Sequence, residues 1–170
     1  MNFDIIRQPV LFLVLCVAQV FILNHIQLFG CAMPLLYVFF VISMKKGMSR
    51  WGMMLWAFVM GIVMDIFANT PGVTAASLTA IAMAQPYILN LFVSREVEEN
   101  FIPSMVVMGW KSYTYYTVAM VFGFCLLYFT LEMMSLFNFG KWLGCVLGST
   151  VLTTLLIVAV DRLIHKKIGN

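Results

Sequence analysis

Apolar residues fall in six long runs separated by short polar breaks, and uninterrupted length rather than strict alternation sets the expected fold. The runs cover about residues 9–23, 31–44, 51–68, 73–93, 112–131 and 139–160. An α-helix rises ~1.5 Å per residue and the hydrocarbon core of a bilayer is ~30 Å thick, so one crossing takes roughly 20 residues. Runs three to six have that length. Runs one and two are shorter and predict a tight helical hairpin turning through Asn24-His25-Ile26-Gln27-Leu28-Phe29-Gly30. A lesser apolar stretch leads from Phe101-Ile102-Pro103 to Trp110. It is too short to cross as a helix, so it predicts either an interfacial segment or an extension of run five. The expected fold is all-α: a polytopic integral membrane protein of about six transmembrane helices, forming one domain over residues 1–170.

Composition strengthens this reading. Of the 170 residues, 63% are hydrophobic and 10% charged, and the mean hydropathy is +1.00. Soluble domains carry charge on about a quarter of their residues and leave roughly a third of their surface in water. This chain has too little polar surface for that, which excludes an ordinary cytosolic enzyme, a disordered chain and a secreted disulfide scaffold. Cys16, Cys31, Cys125 and Cys145 form no C-x-x-C pair and lie in or beside apolar runs, as small hydrophobes in packed helices do. Gln19, Asn24 and His25 stand where a small-x-small cleavage site would follow Arg7 and the first run, so that run is expected to be retained as a helix.

Ten Lys/Arg against seven Asp/Glu give a net charge of +3, far too weak to imply a nucleic-acid partner. Its placement is more informative. Lys45, Lys46 and Arg50 lie between runs two and three, Arg95 between four and five, and Arg162, Lys166 and Lys167 after run six. With single crossings between them, these loops share one side, and the excess of Lys and Arg marks it as cytoplasmic. Both termini are therefore expected inside, with Lys141 on the other side. Trp51, Trp110, Tyr113, Tyr115 and Tyr116 are expected at the cytoplasmic boundary as interfacial aromatics, and the basic flanks to meet membrane lipids.

Asp65, in Gly61-Ile62-Val63-Met64-Asp65-Ile66-Phe67, is the foremost candidate site residue. A carboxylate on a membrane span is costly and needs a partner or a polar cavity, which makes Asp65 either a ligand or proton site or, the favoured expectation, a buried polar contact that fixes the following turn. Asn69-Thr70-Pro71-Gly72 follows, a strong turn signal in which Pro presets one backbone angle and Gly accepts the unusual one. One helical turn before this corner, Asp65 is placed to bond free amides at the start of the next helix. On that reading Asp65→Asn keeps most function and Asp65→Leu loses assembly.

Two small-residue seams stand out: Ala76, Ala80 and Ala84 in run four, and Gly140-x-x-x-Gly144-x-x-x-Gly148 in run six. Lipid supplies no hydrophobic drive for helix pairing, so close backbone approach through such seams provides the packing. Contact within the monomer is the first expectation, contact with another protein the second. No G-x-S-x-G, His-Glu-x-x-His or phosphate-cradling loop occurs, and Asp65, Glu132 and Asp161 do not form an evident metal cluster. The expectation is a non-enzyme with no catalytic residues, no metal and no cofactor.

The order Gln19, Leu23, Asn24, Gly30 and Pro34-Leu35-Leu36-Tyr37-Val38, followed by Gly61-x-x-x-Asp65-x-Phe67, Pro71-Gly72 and Ala75-Ala76, resembles the bacterial rod shape-determining protein MreD family. The likeness is closest over residues 19–90 and looser over the rest. One departure is Gln85, before Pro86, where many members of that family have Arg. The resemblance implies an inner-membrane component of the cell-wall elongation machinery that binds an MreC-like membrane protein. It further implies a role in coupling MreB-like filaments to peptidoglycan synthases, and it makes Asp65, Gly61 and Gly72 the positions expected to matter. The alternative is a substrate-binding membrane subunit of a vitamin-type transporter, with Gln19, Asn24, Gln27, Asp65 and Asn69 lining its cavity.

Overall fold

A computed structural model of the chain describes residues 3–21, 33–93, 101–133 and 139–168. The expectations for Asn24, His25, Gln27, Gly30, Cys31 and the charged run beginning at Arg95 lie outside these residues, as do the side chains of Arg7, His165, Lys166 and Lys167. The regular structure of the described residues is all helical, with α1 (Phe3–Phe21), α2 (Val38–Ile42), α3 (Arg50–Ala68), α4 (Val73–Phe92), α5 (Met105–Met108), α6 (Trp110–Met133) and α7 (Phe139–Ile168). Among the described residues, α3, α4, α6 and α7 are long and apolar enough to cross a membrane. They still expose large apolar side chains such as Leu55, Ile66, Leu91, Phe122 and Leu155, a surface that hydrocarbon tolerates and water does not. The molecule is a multi-pass membrane protein.

The four long helices pack in the order α3, α4, α6, α7, and α1 lies along α3. Phe12 on α1 meets Trp56 of α3 edge-on at 6.1 Å between ring centroids. Further along α1, the Cys16 thiol donates to Met60 Sδ at 3.5 Å. Between α4 and α6, Gly123 packs against Ile81, whose Cδ1 would lie 3.1 Å from an added Cβ.

The second apolar run departs from expectation. Rather than crossing as one arm of a hairpin, residues 33–44 hold only the five-residue α2, and they are enclosed by the long helices. Leu35 to Ile42 are all buried, as is Met44. The reason is chemical as well as steric. Non-helical backbone at membrane depth survives only where protein satisfies its polar groups, and here three side chains do so. The Gln19 side-chain amide donates to Pro34 O at 2.9 Å, and its Oε1 accepts the Leu36 N–H at 3.0 Å. Ser149 Oγ accepts the Met33 N–H at 3.1 Å and Thr153 Oγ1 the Leu35 N–H at 3.0 Å. A helix that is apolar all round belongs in a core; α2 is the centre of this one, with Tyr37 set edge-on against Phe124 at 5.6 Å.

The basic residues gather at one end. The Lys46 N–H donates to Phe101 O at 3.0 Å, joining the loop before α3 to the loop before α5. Arg50 Nη1 donates to Tyr87 Oη at 3.1 Å, near the end of α4. The Arg162 guanidinium lies 3.6 Å from the centroid of the Trp110 ring, next to Lys111. On α1, Gln8 Nε2 reaches Met48 Sδ at 3.7 Å, so α1 begins and α7 finishes at this same end. Lys141 precedes Arg162 by 21 residues of continuous helix, which is about 31 Å of rise, and lies at the other. Two of the five aromatics expected at the cytoplasmic boundary are not surface residues. Trp51, Trp110 and Tyr115 are exposed, whereas Tyr113 and Tyr116 are wholly buried in the bundle, Tyr113 beside Asp161 of α7 and Tyr116 beside Gln85 of α4.

Candidate functional site

The α3–α4 corner brings Gly61, Asp65 and Gly72 together. Asn69 ends α3 in the left-handed region at φ 56°, a conformation that Asn adopts more readily than other residues carrying a Cβ. Gly72, at φ 82°, then starts α4. This tight reversal sets the first turn of α4 against the last turns of α3, where Gly61 and Asp65 share a face at helical spacing.

Asp65, 6% exposed, closes that turn. Its Oδ1 accepts from Thr70 Oγ1 at 3.0 Å and from the Thr74 N–H at 2.9 Å; its Oδ2 accepts from the Ala75 N–H at 3.0 Å. The first N–H groups of a helix have no partner within it and carry its positive dipole end. Gly72, with no side-chain oxygen, cannot cap them, and a carboxylate from the preceding helix takes that part. Gly61 makes the reach possible. A Cβ at position 61 would lie 2.3 Å from Ala75 Cα and 2.7 Å from its nitrogen, so the backbones touch here because position 61 is glycine.

Beside this corner runs a groove of about 510 Å³ lined by Phe58, Ile62, Asp65, Ile66, Asn69 and the start of α4. It contains the edge of a carboxylate already holding three donors, and otherwise mainly apolar surface.

The glycine seam of α7 lies elsewhere, and its setting corrects the first expectation. A Cβ on Gly140 or Gly144 would meet nothing within 4 Å among the described residues. Both glycines are exposed and Gly148 is half-buried, while Leu143, Leu147, Val151 and Leu155 extend the exposed face. The monomer packs α7 through Cys145, Val146, Ser149, Thr153 and Ile157 instead. Sequence spacing shows that 140, 144 and 148 share a stripe but not where the stripe points. The alanine seam is corrected in the same way: Ala76 and Ala80 are exposed and Ala84 half-buried. The buried face of α4 runs through Ala75, Leu78, Ala82, Gln85 and Leu89.

Four residues matter more to this architecture than their sequence context suggests. Gln19, Ser149 and Thr153 hold the enclosed segment, and Asp161, buried near the end of α7, accepts the Met105 N–H at 3.2 Å through Oδ2. The one signal for the α7 pair is Ser149-x-x-x-Thr153, two hydroxyls on one face of a span. Of the cavity residues expected for a transporter, Gln19 and Asp65 are instead bonded to backbone within the fold. Among the described residues no three His, Cys, Asp or Glu side chains gather where they could hold a metal ion.

No family model, curated protein or solved structure matches this chain.

Proposed function

We propose that this protein is a non-enzymatic scaffold of the bacterial inner membrane, part of the machinery that elongates the cell wall and maintains rod shape. In this role it holds an MreC-like membrane protein and helps couple MreB-like filaments to peptidoglycan synthases. The basic end faces the cytoplasm, where Lys and Arg accumulate, and both ends of the chain lie on that side.

One observation carries the scaffold reading: Gly140 and Gly144 form a stripe on α7 with no neighbour, among the described residues, at the position a Cβ would take. A backbone stripe of this kind suits close approach by a second helix, since packing rather than hydrophobicity drives association within lipid. The enclosed segment and the corner at Asp65 then act as the frame that keeps α7 in place. The likeness of Gly61-x-x-x-Asp65-x-Phe67 and Pro71-Gly72 to the MreD family supplies the identity of the partner.

The test is crosslinking in native membranes followed by capture of the tagged chain and mass spectrometry. An MreC-like protein together with wall-synthesis enzymes is the expected catch. Recovery of the chain alone, or with an ATPase that energises transport, defeats the proposal. The transporter alternative rests on the groove beside Asp65, whose volume is in the range of small-ligand sites. A vitamin-like molecule that remains bound to the purified protein would favour it.

A further inference from the structure

The contact line between α6 and α7 passes through Tyr113 beside Asp161 at the basic end and through Cys125 beside Thr150 deeper in the bundle. On α7, one residue on from the buried Thr150, Thr154 and Asp161, stand Val151, Leu155 and Arg162. They share the next face round the helix, and all three are exposed. On α6, Lys111, Val118 and Phe122 likewise share an exposed face, one residue on from the buried Thr117 and Val121 in the case of the two apolar positions. The α6–α7 seam is thus flanked by two apolar walls, each topped by a cation at the basic end. Val151 precedes Arg162 by 11 residues of continuous helix, about 16 Å of rise. That is roughly half of a ~30 Å hydrocarbon core, the depth of one leaflet. Gly140 and Gly144 lie beyond Val151, toward the other leaflet.

The cations are set for an anion. The Arg162 guanidinium lies over the Trp110 ring, 3.6 Å from its centroid. A stacked guanidinium keeps its N–H donors in its own plane, so the ring fixes the group without using the edge that binds phosphate in bidentate fashion. Lys111, next to Trp110, adds a second exposed charge. Asp161 is the one acid among the described side chains at this end. It is buried, and its Oδ2 is engaged with the Met105 N–H inside the fold. We infer that the α6–α7 seam binds one anionic phospholipid of the cytoplasmic leaflet. Its phosphate is held by Arg162 and Lys111 beside Trp110, at the level where indoles gather, and its acyl chains run along Val118, Phe122, Val151 and Leu155. A glycerol headgroup leaves the phosphate charge unopposed. Ethanolamine and choline headgroups carry a cation, which the two basic side chains repel.

The test uses the full chain in nanodiscs of equal phosphatidylglycerol, phosphatidylethanolamine and phosphatidylcholine, released gently and weighed intact by native mass spectrometry. One retained phosphatidylglycerol is expected, favoured about fivefold or more over each of the others, the scale of one basic residue's attraction to anionic lipid. Arg162→Gln and Lys111→Gln alter exposed side chains, so each should keep the fold and reduce that preference about fivefold. Arg50→Gln removes a cation of the same end that lies against Tyr87 of α4, and it should leave the preference unchanged. Equal retention of the three lipids by the wild type overturns the inference, as does an undiminished preference in the folded Arg162→Gln or Lys111→Gln protein. An Arg50→Gln loss as large as that of Arg162→Gln overturns it too, because attraction would then belong to the whole basic end and not to this seam. So does a partner polypeptide crosslinked at position 155 in place of lipid.

Discussion

Asp65 accepts three hydrogen bonds with two oxygens, and the division between those oxygens governs what each substitution does. In Asp65→Asn the amide oxygen can still accept from Thr70 and Thr74. The amide nitrogen, however, faces the Ala75 N–H, a donor against a donor. One buried amide is then unpaired, at a cost of about 1–3 kcal/mol. Asp65→Leu abandons all three donors and should cost more. The expected order in thermal unfolding of the detergent-solubilised protein is wild type, Asn, Leu. An Asn variant as stable as wild type would show that the Ala75 bond contributes nothing. Gly61→Ala provides a steric counterpart, because its methyl falls within 2.3 Å of Ala75 Cα and neither backbone can yield without parting the two helices. Overpacking of this kind typically costs about 1–3 kcal/mol, and here it also pulls the carboxylate from its amides. A substantial fall in melting temperature is expected for Gly61→Ala. Gly144→Ala should leave it unmoved, since that methyl meets none of the described residues within 4 Å.

The elements differ in how far the sequence discloses them. α3, α4, α6 and α7 each fill an apolar run of crossing length, and the Asn69-Thr70-Pro71-Gly72 break fixes where α3 yields to α4. Asp65 was legible for the same reason: an acid one turn before a corner has few groups to bond except the next helix's amides. Residues 33–44 were not legible. A run that is apolar at every position presents the same face to lipid and to protein, so its pattern cannot separate a crossing helix from an enclosed, largely irregular segment. What decides between them is whether remote polar side chains satisfy the backbone. Those side chains, Gln19, Ser149 and Thr153, stand up to 118 positions away in the chain. Removing them therefore tests the element directly. Gln19→Leu leaves Pro34 O and the Leu36 N–H unpaired, and Thr153→Val does the same to the Leu35 N–H. Each should lower stability by about 1–3 kcal/mol for every buried group stranded. The two lesions act on the same few residues, so the double variant should deviate from additivity. Hydrogen exchange of the amides of Leu35 and Leu36 would report the release locally. Unchanged protection in both variants would mean that the surrounding helices alone hold the segment.

At the scale of the whole molecule, inward and outward chemistry are separated. The acid on α3, the amide on α1 and the hydroxyls on α7 turn inward to satisfy backbone, leaving outward faces of apolar side chains interrupted by glycine. On α7 the two requirements meet within one helix: Ser149 and Thr153 bond the enclosed segment, while Gly140 and Gly144 open on the other side. A substitution can therefore separate holding the fold from meeting a partner. Gly144→Leu places a bulky side chain where none of the described residues lies within 4 Å of an added Cβ, and leucine is a better helix former than glycine by somewhat under 1 kcal/mol. The purified variant should unfold at the wild-type temperature or slightly above. If a second helix packs on that stripe, the same leucine must push it away, and loss of close contact over one helix crossing should reduce co-purification of the MreC-like partner at least tenfold, or about 1.4 kcal/mol. Ser149→Ala should show the reverse pattern, with the partner retained in proportion to the folded protein and a lowered melting temperature, because it strands the Met33 N–H without altering the outer face. Full partner recovery by a stable Gly144→Leu protein would separate the glycine stripe from assembly and leave the scaffold reading without its surface.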